Sequence, residues 1–168
     1  MVDEKGLIRP YQKSHFSGAK GHSMSRNNLY IFVLWADGFL EAAATIFVTE
    51  LRRAGIRVKV IGSSRQHSKG TYGLALTPDL TLSQANALLP QITHLIIPAT
   101  FSTVRRLKND PCVTAFFEQI NRYNIPVFIG DDAAEISLFI EGTVTVFPAD
   151  SETLVSFARQ VARRIAGT

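Results

Sequence analysis

Short runs of β-branched and aromatic residues alternate with longer helical patterns from Asn28 onward, and this alternation constrains the fold more than any other feature. Strands that alternate with helices pair in parallel, and a parallel sheet is covered by helices on both faces. The sequence therefore predicts an α/β fold in which a mostly parallel sheet lies between two layers of helices.

The bounds of these elements follow from the same pattern. We predict strands at 29–35, 57–62, 94–98, 125–129 and 143–147, with a weaker strand near Leu74–Thr77. We predict helices at 38–54, 82–90, 101–123 with an interruption at Pro111, 132–140 and 151–166. The last helix is expected to begin at Asp150 or Ser151 as N-cap and to end at Gly167.

Residues 1–27 differ in character from the rest of the chain. They mix Gly, Ser, Lys, His and Asn with little hydrophobic periodicity, so they bury too little surface to offset the entropy of ordering them. We predict a flexible basic N-terminal extension at 1–27 and one domain at 28–168. The hydrophobic content of 46% is sufficient for a sizeable core.

Charge and composition narrow the possible partners and compartments. The net charge is +4, and +3 of it falls in residues 1–27, where five basic and two acidic residues form only a weak footprint for a nucleic-acid site. We therefore expect no nucleic-acid partner. The longest apolar runs are shorter than the roughly 20 residues of a membrane span. Because Cys112 is the single cysteine and no secretory pattern is recognised at the N-terminus, we expect a cytoplasmic protein.

The first predicted helix is apolar on more than one face. Its polar residues form one stripe at spacings of three and four, namely Glu41, Thr45, Thr49 and Arg52. Packing on a sheet does not require so much apolar surface, so we predict a second contact, in a homodimer or in a hetero-complex. The residues expected there are Phe39, Leu40, Phe47 and Val48. The alternative is a helix that is buried within one chain.

The strand at 125–129 turns directly into a helix through Gly130, Asp131 and Asp132. The two carboxylates suit the capping of free amide groups at a helix N-terminus. Alternatively, they could form with Asp37 an oxygen-rich site for a hard cation such as magnesium. A phosphoacceptor site of the response-regulator type also uses an acidic pair after a strand, although there the pair follows the first strand.

Several motifs in a fixed order resemble the DJ-one/ThiJ/PfpI family of the class I glutamine amidotransferase-like superfamily, over about residues 28–140. The motifs are Ala36-Asp37-Gly38-Phe39-Leu40-Glu41, Leu51-Arg52-Arg53-Ala54-Gly55-Ile56-Arg57-Val58, Thr77-Pro78-Asp79, Leu95-Ile96-Ile97-Pro98, Asp110-Pro111 and the elbow at Gly130. The resemblance implies a flavodoxin-like three-layer sandwich.

The resemblance also implies a catalytic site whose residues are missing here. The position of the family's cysteine nucleophile is Gly130, and that of the family's glutamate is Ala43. The glycine pair of the family's oxyanion site is replaced by Ala99 and Thr100, and all four histidines precede the elbow. Glu41 lies two positions before Ala43, so a helix should direct it away from the elbow and place it on the solvated stripe. The alternative is a role for Glu41 in the pocket.

These departures predict a pseudoenzyme, that is, a non-catalytic domain acting as an interaction or accessory subunit without a cofactor. The alternative is a small-ligand or metal-binding sensor, or an enzyme, that uses the acidic rim of Asp37, Asp131 and Asp132 together with Thr100. The pocket residues expected under either hypothesis are Asp37, Glu41, Ala99, Thr100, Gly130, Asp131 and Asp132.

Overall fold

A parallel sheet forms the centre of the protein in the computed structural model, which describes residues 29–63, 67–130 and 139–167. In chain order, the described strands are β1 (Tyr30–Trp35), β2 (Val58–Gly62), β3 (Ser68–Lys69), β4 (Ala75–Leu76), β5 (Leu80–Thr81), β6 (Ile92–Ile97), β7 (Val127–Gly130) and β8 (Val144–Phe147). Six of them form the main sheet in the order β5-β2-β1-β6-β7-β8, and each neighbouring pair is parallel. The short strands β3 and β4 form a separate antiparallel hairpin.

The helices lie in two layers, one on each face of the sheet. They are α1 (Glu41–Arg53), α2 (Leu82–Asn86), α3 (Phe101–Lys108), α4 (Pro111–Arg122) and α5 (Ser151–Ala166), with a short 3-10 helix at Leu89–Gln91. Helices α1 and α5 contribute to one hydrophobic cluster, whereas α2, α3 and α4 contribute to the other. The sheet is therefore covered on both sides.

Alternation along β1 explains why these residues form a buried central strand. Ile31 and Val33 join the cluster on the α1 and α5 side, whereas Phe32 and Leu34 join the opposite cluster. Successive side chains of a strand point to opposite faces, so a strand with two covered faces is apolar at every position.

Polar side chains fix where most of the helices begin. The side chain of Thr81 accepts a hydrogen bond from the backbone N–H of Gln84 in a capping box, and Thr100 caps α3 through the N–H of Thr103. Asp110 caps α4 ahead of Pro111, and Asp150 caps α5 through the N–H of Thr153. Each cap satisfies an amide group that has no partner within its own helix.

The predicted fold class is confirmed. The strands and helices lie within a few residues of their predicted bounds, and Asp150 is the N-cap of the last helix. The interruption at Pro111 divides the predicted 101–123 helix into α3 and α4. The weak strand predicted near Leu74–Thr77 is β4, which pairs with β3 outside the main sheet.

The predicted extension at 1–27 and most of the helix at 132–140 fall outside the described residues. No helix in the described ranges combines the length and apolar character needed to cross a membrane.

The structure corrects part of the predicted interface on the first helix. Phe39 and Phe47 are completely buried within the chain's own core, so they do not form an exposed surface. The reason is that α5 packs against α1, and Phe157 of α5 meets Phe47 at 6.3 Å between ring centroids. Leu40 and Val48 are only partly buried and stay available for an intermolecular contact.

Phe47 provides a test of this packing, because its ring also meets Phe147 edge-on at 5.1 Å. We expect Phe47→Ala to lower the free energy of unfolding by about 3–5 kcal/mol, independently of protein concentration. Urea unfolding measures the loss, with the exposed Thr49→Ala on the same helix as control. A loss that disappears at high protein concentration would instead assign Phe47 to an interface between chains.

His94 lies on the central strand β6, where its ring stacks on Phe128 at 5.5 Å. Burial lowers the pKa of His94 below its ordinary value of 6.5, so the unfolded chain binds more protons than the folded chain below that pH. The free energy of unfolding should therefore fall as the pH decreases from about 7 through 6.5 toward the folded-state pKa. His94→Gln should reduce this dependence in pH-resolved urea unfolding, and an undiminished dependence in that variant would show that His94 is not its source.

Candidate functional site at the carboxyl edge of the sheet

Three adjacent strands bring their carboxyl ends together at one edge of the sheet. Asp37 and Gly38 follow β1, Ala99 and Thr100 follow β6, and Gly130 ends β7. Ligands of open α/β sheets bind at this edge, because the loops beyond the strands converge there. Asp131 and Asp132, which were predicted for the same rim, lie outside the described residues.

Gly130 is buried, yet neither its backbone nor its surroundings require a glycine. Its φ is not in the left-handed region, where the described glycines are Gly38, Gly55 and Gly73. A Cβ atom at Gly130 would lie 3.4 Å from the Cε2 and Cζ atoms of Phe147 and 3.5 Å from the carbonyl oxygen of Ala99. These are ordinary contact distances, so the elbow could hold a small side chain but holds none.

The described surroundings of Gly130 are apolar. The nearest side chain is the Phe147 ring, and Ala99 is 2% exposed. Phe39 forms a bridge with Ala99, and its ring stacks on Trp35 at 5.3 Å. Within the described ranges, none of these groups can accept or donate a proton at the elbow. Of the residues predicted here from the sequence, Ala99 and Gly130 are thus adjacent, and they are packed against apolar side chains.

Glu41 departs from its predicted position on a solvated stripe. Its side chain is 9% exposed, and its Oε1 atom accepts hydrogen bonds from the backbone N–H groups of Tyr72 at 2.6 Å and Leu74 at 3.4 Å. Helix α1 begins at Glu41, and side chains lean toward the N-terminus of a helix, so this carboxylate enters the hairpin turn instead of following Thr45 into solvent. The Oε2 atom is buried and has no hydrogen-bond partner within the described part of the chain.

A turn at 70–74 covers this carboxylate and connects β3 to β4. The N–H of Thr71 donates to the carbonyl oxygen of Phe39 at 3.0 Å, and the N–H of Gly70 donates to that of Leu74 at 2.9 Å. A Cβ atom at Gly70 would overlap the Glu41 carboxylate, and Gly73 has a φ of +91°. Both glycines are therefore needed for the shape of the turn. The turn exposes 90% of Tyr72 and 43% of Leu74.

An open depression of about 690 Å³ lies beside this turn, and we call it the rim depression. Its charged residues are Asp37, Lys69 and Arg106, with the imidazole of His67 nearby, and its remaining lining residues are Gly38, Gly70, Thr71, Thr100 and Ser102. The Asp37 carboxylate already accepts the backbone N–H of Lys69 at 3.0 Å, and the Arg106 guanidinium donates to the Asp37 carbonyl oxygen at 2.7 Å. Sequence reasoning identified Asp37 and Thr100 but missed the other residues that line the depression. Those residues come from separate loops, and the only sequence feature that pointed to them was the glycine-rich segment before β4.

The chemistry available in the rim depression is that of binding. The Thr100 hydroxyl lies 3.0 Å from the hydroxyls of Ser102 and Thr103, and it caps α3. None of the hydrogen bonds described for these hydroxyls reaches a histidine or carboxylate side chain that could activate a nucleophile. No cluster of three metal-ligating side chains exists among the described residues. Lysine, arginine and hydroxyl groups suit a small anionic group.

The contact of Glu41 with the turn can be tested by substitution. Glu41→Ala removes the acceptor of two backbone N–H groups, so we expect a loss of about 1–3 kcal/mol in the free energy of unfolding and faster amide hydrogen exchange at Tyr72. Glu41→Gln keeps an oxygen acceptor and should retain most of the protection. Unchanged exchange at Tyr72 in Glu41→Ala would show that the carboxylate does not hold the turn.

The chain resembles known proteins both in sequence profile and in fold. The sequence profile of the DJ-1/PfpI family matches residues 30–136. Among solved structures, Drosophila melanogaster DJ-1beta superposes with a TM-score of 0.71 at 16% identity, over 84% of this chain and 92% of that one. Oxidized Toxoplasma gondii DJ-1 gives a TM-score of 0.63 at 14% identity, over 83% and 96%. No curated protein sequence matches the chain significantly.

A third similar structure carries the same fold within a larger protein. A two-domain protein from Anabaena variabilis, with DJ-1/ThiJ/PfpI-like and ferritin-like domains, gives a TM-score of 0.68 at 15% identity, over 82% of this chain and 48% of that one. Likeness at such identities establishes the fold, whereas the profile match covers more than half of the sequence. The parallel six-stranded sheet with helices on both faces agrees with that match, and the chain belongs to the DJ-1/PfpI family.

Proposed function

We propose that this chain is a non-catalytic member of its family that acts as an interaction or accessory subunit of a protein assembly. The observation that carries the proposal is that Gly130 provides no nucleophile, while Ala43 and Ala99, which the resemblance assigns to other positions of the family's site, are buried and apolar. Thiol catalysis requires both a nucleophile and a neighbouring group that tunes its protonation. Gly130, Ala43 and Ala99 can provide neither the nucleophile nor the group that tunes its protonation.

The turn at 70–74 supports an interaction role. An exposed tyrosine that is held by a hydrogen-bonded turn loses little conformational entropy on binding, and tyrosines of this kind are frequent hot spots of protein interfaces. Leu74 on the same turn and Leu40 at the start of α1 add partly exposed apolar surface. The carboxyl edge is thus better equipped to contact a partner than to transform a substrate.

Restoring the thiol tests the non-catalytic part of the proposal. We expect Gly130→Cys, made in a Cys112→Ser background, to fold but to show no turnover in glyoxalase, deglycase or peptidase assays, because a thiol there would lie among apolar groups. Alkylation rates measured against pH should give a thiol pKa at or above the ordinary value of about 8.5. Gly130→Ser in the same background is the control. Thiol-dependent turnover by the cysteine variant would contradict the proposal.

The accessory role is tested by isolating the protein from its source under mild salt and determining the mass and composition of what accompanies it. A stoichiometric assembly is the expected result. A chain that migrates alone as a monomer at its native concentration would contradict an accessory role.

A second candidate function is a ligand sensor at the rim depression. It is favoured by the side chains of Lys69 and Arg106, which come from different elements and face a common space with the hydroxyl of Ser102. The acidic version of this hypothesis, a metal site formed by Asp37, Asp131 and Asp132, involves two residues outside the described ranges. Thermal unfolding with inorganic phosphate and with magnesium, titrated separately, distinguishes the two, because a ligand that binds the folded chain raises Tm increasingly as its concentration exceeds its Kd.

A further inference from the structure

We propose that the amino edge of the sheet holds a binding site for a small monocarboxylate with an apolar body. The site is a cavity of about 730 Å³ between the first residues of β1 and β6 and the last residues of α1 and α5, and we call it the amino-edge cavity. It lies at the opposite end of the strands from Gly130 and the rim depression, so it is independent of the interaction role proposed above.

Apolar side chains form much of the wall of this cavity. Leu29, Ile56 and Ile165 line it and are half-buried, and the half-buried ring of Tyr30 lies beside them. Gly55, at a φ of +77°, ends α1 and turns the chain toward β2 at this point. Small-molecule sites have volumes of about 300–1,000 Å³ and mostly apolar walls. An apolar ligand body would remove the remaining exposed surface of these side chains from water.

An irregularity in the sheet brings two polar side chains to the cavity. Tyr30 of β1 pairs with Ile92 of β6, whereas the residue after Tyr30 pairs with His94. Thr93 is therefore an extra residue on β6. Bulges are rare between parallel strands, and they often re-aim side chains next to a site. The shift accounts for the presence of both Thr93 and His94 in the cavity wall, because successive residues of a regular strand point to opposite faces.

His94 offers the ligand a hydrogen-bond donor. Its Nδ1 atom is buried and has no hydrogen-bond partner within the described ranges, and burial lowers the pKa of the ring, which is therefore neutral at pH 7. A buried acceptor without a partner costs less than a buried N–H without one, so the proton belongs on Nε2. The half-buried ring lies where the cavity adjoins a smaller one of about 290 Å³, and there its Nε2–H can donate to a carboxylate oxygen.

Arg57 supplies the positive charge for the carboxylate. Its guanidinium lies over the Tyr30 ring at 4.4 Å from the centroid, which holds it at the cavity wall. A guanidinium has five N–H donors, so it can bind a carboxylate in addition to the contacts that it makes within the chain. No acidic residue is among the described residues that line the cavity. A carboxylate with an apolar body matches this combination of a cation, an N–H donor and aliphatic walls.

Calorimetric titration of the full chain with octanoate, and with neutral octanamide as the matched ligand, tests the proposal. We expect a single octanoate to bind to each chain. Arg57→Gln should weaken octanoate binding about tenfold, as loss of a hydrogen bond between charged groups does, and should leave the affinity for octanamide unchanged. Arg163→Gln is the control, because it removes the same charge from an exposed residue of α5 that does not line the cavity.

Two further measurements locate the bound octanoate. The NMR resonances of the His94 ring should shift as octanoate is added, whereas those of His67, in the rim depression, should not. Ala54 lines the cavity and is exposed, so Ala54→Trp should fill the space and abolish the binding of both ligands. Circular dichroism and thermal unfolding confirm that this variant folds.

The inference is overturned if octanoate does not bind the folded chain, or if Arg57→Gln binds it as tightly as the unchanged chain does. It is also overturned if octanoate shifts His67 and leaves His94 unchanged, because the anion would then lie in the rim depression. Each of these results leaves the non-catalytic and accessory roles intact. Conversely, turnover by Gly130→Cys would reject the non-catalytic role without bearing on the amino-edge cavity.

Discussion

The buried carboxylate of Glu41 organises the carboxyl edge of this protein. Removing a carboxylate from water is costly unless hydrogen bonds replace the lost solvent, and here the backbone N–H groups of Tyr72 and Leu74 do so. The carboxylate occupies the space where a side chain at Gly70 would lie, which makes that glycine and this glutamate interdependent. The hairpin is only two residues long on each strand, and this contact holds it together with the bonds from Thr71 to Phe39 and from Lys69 to Asp37.

Under the proposed non-catalytic role, more than one position of the family's site is involved. A cysteine at Gly130 would meet the Phe147 ring and the Ala99 carbonyl. Ala43, which the resemblance assigns to the position of the family's glutamate, ends in a methyl group. The remaining carboxylate on that helix, Glu41, is turned away and already committed to the hairpin. The same helix that would activate a thiol in a catalytic relative thus stabilises an exposed turn in this chain.

Sequence reasoning recovered the fold because the helices of a three-layer sandwich bury both faces of the sheet, and a run such as Ile31–Leu34 records that burial directly. The predicted position of Glu41 was wrong, because helical periodicity shows on which face of a helix a residue lies. It does not show which other segment of the chain covers the first turn of that helix. The prediction failed for Phe39 and Phe47 for a related reason, since an apolar face looks the same whether α5 or another chain covers it. The rim depression was only partly foreseen, because segments distant in sequence form it.

The rim depression shares residues with the turn that Glu41 holds. Gly70 and Thr71 belong to that turn and also line the depression beside Lys69 and Arg106. The ligand site proposed there as the second candidate function would therefore be shaped by the same hydrogen bonds that position the turn, including the bond from the Tyr72 N–H to the Glu41 carboxylate. Glu41 would in this way contribute to the site without lining it.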